Sequence, residues 1–231
     1  MNQNSSFKSK SEKYNIAWFK LAEFVSRGEK ERALGIYRLL TLSINDPALV
    51  LQLEGDILLA FNDTNAILQY EKAAKLYQQN GRIIEAISIY EHLISLNPQS
   101  SEFYNKLLQL YKILNFQDKV IFTTKRILLA LLNENDIENS LIHLEELEKL
   151  TNENDLIEYY QETVFVLIKN KTAKEIIFGY TKKIVDKHFN DNDPNLQIFI
   201  SKIEILEPNL YADIIAYLEL PKEKNENKNK N

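Results

Sequence analysis

Helix-breaking residues recur along this chain at intervals of about 15 to 20 residues, and the segments between them have helical periodicity. Leu21, Phe24 and Val25, for example, share one helix face and are followed by a break at Arg27-Gly28. The 231 residues include only five prolines and five glycines, too few for a turn-rich all-β fold. The sequence therefore predicts an all-α protein of about twelve helices, each 10 to 18 residues long.

Several breaks carry a specific start or stop signal. Gly81 suits the residue after a helix C-terminus, since glycine adopts a left-handed conformation without strain. Pro47 and Pro194 suit the first turn of a helix, and Ser100 or Ser101 suits an N-cap. These signals place helix boundaries independently of the apolar pattern.

Composition limits the environment of the protein. The chain has no cysteine, which excludes disulfides and thiolate metal sites. Its first residues lack the apolar run of a secretory signal, and no apolar stretch reaches the length of a membrane span. The sequence therefore predicts a cytoplasmic protein.

The net charge of −5 is unevenly distributed. Residues 133–162 hold ten carboxylates and a single lysine, Lys149, which gives this segment a charge of −9. Such a segment repels phosphate groups, so nucleic acid is not an expected partner. Two interpretations remain open: a solvated helix face, or a docking surface for a basic segment of a partner whose association would be sensitive to salt.

Small and aromatic residues follow a fixed order between residues 70 and 98. The order is large, two small, aromatic, glycine, alanine, aromatic, leucine, proline: Tyr70, Ala73, Ala74, Tyr77, Gly81, Ala86, Tyr90, Leu93 and Pro98. Alanines at such positions let two helices approach closely, and the tyrosines fill the space that remains. We therefore expect Ala74 and Ala86 to be buried contacts between helices.

This order closely resembles the tetratricopeptide repeat (TPR), a helix–turn–helix unit of 34 residues. The resemblance is specific over 64–98, moderate over 14–134, where Asn115 stands in place of a glycine, and weak beyond. It implies an α-solenoid, a right-handed stack of antiparallel helix pairs. The expected organisation is a disordered tail at 1–12, TPR-like repeats at 13–134, divergent helical repeats or a cap at 135–220, and a disordered tail at 221–231.

One helix fits the repeat pattern in two ways. The segment 65–79 matches the second helix of a pair that begins at Pro47 and also the first helix of a pair that ends at Pro98. A regular superhelix has no place for a helix counted twice. We therefore expect one irregular helix near 64–97, with a local change in curvature.

Catalytic chemistry has little support in the sequence. No glycine-rich phosphate loop and no nucleophile-elbow serine is present. His143 and Glu146 share a helix face, but a pair of this kind lacks a third metal ligand. The sequence predicts a protein that is not an enzyme and has no catalytic, cofactor or metal site.

The resemblance implies instead that the first helix of each repeat lines a groove for a protein or peptide partner. Six residues are the candidates for partner contact: Trp18, Gln52, Asp56, Asn105, Gln109 and Lys112. Trp18, the sole tryptophan, either packs in the core or is an exposed anchor. With one acid and one lysine, this groove is not expected to select strongly for charge. The favoured function is a protein-interaction scaffold, and the alternative is an assembly or regulatory subunit of a larger complex that uses its convex or terminal surface.

Overall fold

A computed structural model describes residues 3–187 and 194–219 of the chain. Within these ranges there are twelve α-helices and one short 3₁₀ helix, and no strand. The α-helices are α1 (Gln3–Ser26), α2 (Lys30–Thr41), α3 (Pro47–Ala60), α4 (Asn65–Gln79), α5 (Ile83–Leu96), α6 (Ser101–Ile113), α7 (Gln117–Glu134), α8 (Ile137–Leu150), α9 (Ile157–Lys169), α10 (Lys174–Lys187), α11 (Pro194–Leu206) and α12 (Pro208–Glu219). The predicted all-α fold with about twelve helices is confirmed.

Helix α1 begins within the segment that the sequence predicts to be an N-terminal tail. The structure places residues 3–12, which the sequence predicts to be a disordered tail, in the first half of α1. No glycine or proline precedes Gly28, so no residue in this segment interrupts the helix once its apolar part has formed. The tail predicted at 221–231 lies outside the described residues.

The turns between helices repeat one backbone motif. Gly28, Asn62, Gly81, Asn115, Asn135 and Lys171 each follow a helix and have φ between +52° and +75°. The N–H of Gly81 donates to the carbonyl of Gln78, and the N–H of Arg82 donates to the carbonyl of Tyr77. These two bonds satisfy carbonyl groups in the last turn of α4. Asn115 makes the equivalent turn with φ of +55°, because asparagine tolerates this conformation better than most residues.

The other predicted helix signals are also present. Pro47 and Pro194 are the first residues of α3 and α11. The hydroxyl of Ser100 accepts a hydrogen bond of 3.3 Å from the Phe103 amide, so Ser100, and not Ser101, is the N-cap of α6.

The chain divides into two compact units, residues 1–120 and 121–231, and the boundary falls within α7. The repeat pattern places a boundary later, after residue 134, at the end of the same helix. The physical reason for the difference is that Leu128 and Leu132 on α7 belong to the core of the second unit, where they join Tyr160, Phe199 and other apolar residues. In the first unit, a core cluster joins α1, α2 and α3.

Helix α4 packs against both α3 and α5. The Tyr77 hydroxyl donates a hydrogen bond of 2.8 Å to Gln52 on α3. The Tyr70 ring contacts the His92 ring on α5 edge to face, with 5.0 Å between the ring centroids. The helix that fits the repeat pattern twice therefore has close neighbours on both sides, while the expected change in curvature stays a prediction.

The small residues of the repeat pattern lie where helices meet. Ala73, Ala74 and Ala86 have no exposed surface, as expected for contact points between neighbouring helices. Tyr70 and Tyr77 are each only 1% exposed. No helix among the described residues is long and apolar enough to cross a membrane.

Candidate functional site

The six residues predicted to contact a partner lie on three helices of the first unit. Trp18 is on α1; Gln52 and Asp56 are on α3; Asn105, Gln109 and Lys112 are on α6. Trp18 is 41% exposed, so the indole does not pack in the core as one interpretation of the sequence holds. The remaining residues are exposed, except Gln52, which is half-buried.

Trp18 and Asp56 line the same cleft, between α1 and α3, with a volume of about 250 Å³. Its buried apolar side chains are Leu21 and Ile57, which also belong to the core of the first unit. The complete lining is Trp18, Leu21, Ala22, Val25, Leu53, Asp56, Ile57 and Ala60. The cleft surface is thus almost wholly apolar, although two of its lining residues, Trp18 and Asp56, are exposed.

Asp56 is held in place by a tyrosine of the next helix. The hydroxyl of Tyr70 donates a hydrogen bond of 2.7 Å to Oδ1 of Asp56. Burial, and secondly this bond to a carboxylate, raise the pKa of Tyr70 well above its usual value, so the hydroxyl stays protonated and remains a donor. The Asp56 carboxylate is therefore directed toward α4, and the surface of the cleft itself is almost wholly apolar.

The approach of Tyr70 to α3 requires a glycine beside Asp56. A β-carbon on residue 55 would come within 2.9 Å of two carbons of the Tyr70 ring, closer than real contacts of this kind. Gly55 is buried and helical, so its role is to make room for the ring rather than to permit an unusual backbone angle.

Gln52 is engaged within the protein in the same manner. Its side-chain oxygen accepts the hydrogen bond from Tyr77, whose ring also lies under the guanidinium of Arg82 at 4.4 Å from the ring centroid. This bond uses one of the two lone pairs of the Gln52 oxygen and does not involve its amide NH₂ group.

The three predicted residues on α6 are not part of the cleft lining. Asn105, Gln109 and Lys112 are exposed on that helix, but the lining comes from α1 and α3 alone. A single groove that joins α6 to Trp18 and Asp56 remains a prediction.

The sequence pattern missed Leu53 and Ala60 as lining residues. They lie three residues before and four residues after Asp56, which places them on the same face of α3. That periodicity was the available signal, but it does not tell which of several apolar faces borders an open cleft.

A second cleft lies in the second unit, between α9 and α11, with a volume of about 470 Å³. Phe165 and Phe199 contact each other there with 5.5 Å between ring centroids, and the Lys202 ammonium group lies 5.5 Å from the Phe165 centroid. Its lining combines amides, Glu158 and Lys202 with these rings. This mixed lining indicates no specific chemistry.

The acidic segment 133–162 spans the end of α7, α8, the 3₁₀ helix and much of α9. Part of its charge is paired within the unit, since Lys183 donates a 2.6 Å hydrogen bond to Glu148. Most of its described carboxylates, such as Glu145, Glu158 and Glu162, are exposed. The solvated-face interpretation agrees with this exposure, and the docking interpretation stays open.

The histidine–carboxylate pair of α8 is also present, with 3.7 Å between Nδ1 of His143 and Oε2 of Glu146. In the part of the chain that the structure describes, no three histidine or carboxylate groups gather in a way that would hold a metal ion.

No protein-family model matches this sequence, and no curated protein matches it significantly. Several solved structures are similar. YrrB, "a TPR protein with an unusual peptide-binding site", is 14% identical with a TM-score of 0.27, over 65% of this chain and 92% of YrrB. MamA is 15% identical with a TM-score of 0.26, over 80% of this chain and all of MamA.

A tetratricopeptide repeat protein from Parabacteroides merdae is 17% identical with a TM-score of 0.26, over 92% of this chain and 94% of that one. TM-scores of this size reflect poor superposition of whole chains, so nothing about the binding sites of these proteins transfers to this chain. The repeat unit is supported by residues of this chain itself. These are the buried alanines of α4 and α5, Gly81 with its left-handed backbone, and the tyrosines between the helices. Over the residues that the structure describes, this chain is an all-α protein whose segment 64–98 keeps the buried alanines and the left-handed glycine of the repeat pattern.

Proposed function

We propose that this protein is a non-enzymatic interaction scaffold that binds an extended segment of a partner protein in the cleft between α1 and α3. The observation that supports the proposal is Trp18, a large aromatic side chain that is 41% exposed beside an apolar cleft. Tryptophan is over-represented among the residues that dominate binding energy at protein interfaces, where it fills pockets on the partner. Its position at a cleft rather than in the core is consistent with such an anchor.

The size of the cleft also favours a peptide side chain over a small-molecule ligand. Its volume of about 250 Å³ is below the roughly 300–1,000 Å³ of typical small-molecule sites. The exposed amide and ammonium groups of Asn105, Gln109 and Lys112 on α6 can bond a peptide backbone. We keep them in the proposed site as secondary contacts.

The test is an affinity capture from the source cell, followed by binding measurements with the identified partner and purified variants. Trp18→Ala should weaken binding about tenfold or more, because it removes the exposed aromatic surface. Phe19→Ala is the matched control, since Phe19 is 73% exposed on the same helix but outside the cleft. A combined Gln52→Ala and Gln109→Ala variant tests the polar contacts. Unchanged affinity in the Trp18 and glutamine variants, with the fold intact, would place the binding surface elsewhere.

An assembly or regulatory subunit is the alternative function, and exposed apolar residues on α11 favour it. Ile198 and Ile205 are 56% and 82% exposed, and they are seven residues apart, on one face of that helix. A partner that loses affinity with Ile205→Ser but not with Trp18→Ala would support this alternative.

A further inference from the structure

The cleft between α1 and α3 is bounded by one face of each helix. On both helices its lining residues follow the spacing n, n+3, n+4 and n+7, which is the spacing of residues on a single helix face. Seven of the eight lining residues are apolar. Two of them, Ala22 and Ala60, are small and also exposed. Side chains of this size leave the space between the two helix faces open.

This cleft is poorly suited to a peptide backbone. An extended segment carries an N–H donor and a C=O acceptor at almost every residue, and burial of such a group without a partner costs free energy. The lining offers few partners, since the Asp56 carboxylate accepts from Tyr70 and is directed toward α4, and Trp18 has a single indole N–H. We therefore expect the backbone of a bound segment to stay at the opening, in contact with water, while a side chain enters.

A charged side chain is also disfavoured in the cleft. An ion that leaves water needs an opposite charge or several hydrogen bonds to offset the loss of hydration. Among the described residues that line the cleft there is no cation, and the carboxylate of Asp56 is engaged on the side of α4. An apolar side chain needs no such partner and gains free energy when it leaves water.

The volume of the cleft sets the size of that side chain. The cleft measures about 250 Å³, whereas an apolar cavity of about 150 Å³ is large enough to hold benzene. It therefore has room for a phenyl ring or a branched aliphatic group, while the methyl group of an alanine would leave most of it open. The indole ring of Trp18 adds an aromatic surface against which either group can pack.

We propose that the cleft recognises one large apolar side chain of the partner segment, of the size of leucine or phenylalanine, and that the backbone of the segment stays outside. The proposal rests on the function proposed above, and it adds the chemistry of the partner at one position. Leu21 and Ile57 form the buried apolar surface that receives the side chain, and Trp18 packs against it.

The experiment uses the full chain and a library of synthetic nonapeptides without tryptophan, in which one position at a time is fixed. Wild-type protein should enrich peptides with leucine, isoleucine, methionine or phenylalanine at a single position. The best peptide is then compared with two analogues, one with alanine and one with lysine at that position. Binding is followed by fluorescence, because Trp18 is the sole tryptophan of the protein and lines the cleft.

Wild-type protein should bind the best peptide about tenfold or more tighter than either analogue. The alanine analogue loses most of the apolar surface that the cleft buries, and the lysine analogue would bury a charge without a partner.

Two variants fill the cleft from opposite walls. Ala22→Leu and, separately, Ala60→Leu should reduce the difference between the best peptide and its alanine analogue to about twofold or less, because the new side chain occupies the space of the ligand. Both alanines are exposed, and circular dichroism checks that each variant is folded. Ala212→Leu adds the same side chain at an exposed position of α12, outside the cleft, and is the matched control that should retain the wild-type preference.

Three negative results have different meanings. Peptides that shift the Trp18 emission but bind equally well with leucine, alanine or lysine would overturn the selection of an apolar side chain and leave peptide binding intact. Enrichment of apolar residues three or four positions apart, in peptides that are helical when bound, would overturn both the single side chain and the extended segment. If no peptide binds, or if both cleft-filling variants keep the wild-type affinity and preference, the cleft is not a peptide site and both proposals are wrong.

Discussion

The ring of Tyr70 packs directly on Gly55, so closely that a β-carbon there would lie 2.9 Å from the ring carbons Cδ1 and Cε1. The ring has little freedom to withdraw, because Tyr70 is buried and its hydroxyl is bonded to Asp56. This contact joins α3 to α4 beside Asp56.

Gly55→Ala should lower the free energy of unfolding by about 1–3 kcal/mol, because the added methyl group overpacks the contact with Tyr70. Gly35→Ala is the matched control, since Gly35 is also helical but a β-carbon there has open space around it. The control should raise stability by about 0.5–1 kcal/mol through the higher helix propensity of alanine. Urea denaturation of both variants measures the difference, and equal stability of the two would contradict the role of Gly55.

Ala74→Leu should also cost about 1–3 kcal/mol of unfolding free energy, since Ala74 has no exposed surface at the contact between helices. Lys75→Leu adds the same side chain at an exposed position of α4 and should change stability by less than about 0.5 kcal/mol. Thermal melting of the two variants is the measurement. If Ala74→Leu had the same melting temperature as the wild type, the register assigned to the repeat would be wrong.

Lys171→Gly should raise the free energy of unfolding by up to about 1 kcal/mol. Lys171 has φ of +52° after α9, a conformation that costs a residue with a β-carbon about 1–2 kcal/mol, and the entropy of glycine offsets part of the gain. Glu162→Gly, at an exposed position within α9, should instead lower the free energy of unfolding by about 0.5–1 kcal/mol. A glycine that destabilises the protein equally at both positions would disprove the strain.

Asp46 should make folding sensitive to acid. Its side chain caps α3 by accepting from the amides of Ala48 and Leu49 at 3.1 Å, and it pairs with Arg82. The hydrogen bond from Arg82, followed by those from the backbone, lowers the pKa of Asp46 below its ordinary 3.8. The stability from this group is therefore fully present above pH 3.8 and is lost as the pH falls through the lowered pKa.

Asp46→Asn retains a capping side chain but not the charge, so its stability should fall less steeply than that of the wild type as the pH drops below 3.8. Asp46→Ala removes the cap as well and should cost about 0.5–2 kcal/mol at neutral pH. Urea denaturation at a series of pH values gives both quantities. Parallel curves for the wild type and Asp46→Asn would show that folding does not lower the pKa of Asp46.

Local signals in the sequence were sufficient for the helices and their ends. Pro47, Gly81 and Ser100 act within one or two turns of the chain, so their effects do not depend on distant partners. The alanines of α4 and α5 were predictable because a repeated pattern places them at the same contact in each pair. The tail at 1–12 stays a prediction, and α1 begins within it at Gln3.

The site was only partly predictable, because it depends on contacts between different helices. The repeat pattern predicted that Trp18 and Asp56 share one groove. It did not predict that tyrosine hydroxyls bond the side chains of Asp56 and Gln52. Those tyrosines follow Asp56 and Gln52 by 14 and 25 residues, on another helix. Periodicity identifies a face of a helix, and it does not show whether that face meets a neighbour or an open space.

Helix α4 has a consequence for how this chain unfolds. In a regular repeat array, each helix pair is a separate unit coupled to the next through one interface, and the ends can fray independently. Here α4 packs against α3 and α5 more extensively than α2 packs against α3 or α5 against α6, so opening α3 or α5 alone would expose much of the buried surface of α4. The segment 47–96 should therefore behave as one cooperative block, with the slowly exchanging amides of its three helices sharing a single opening free energy in hydrogen exchange.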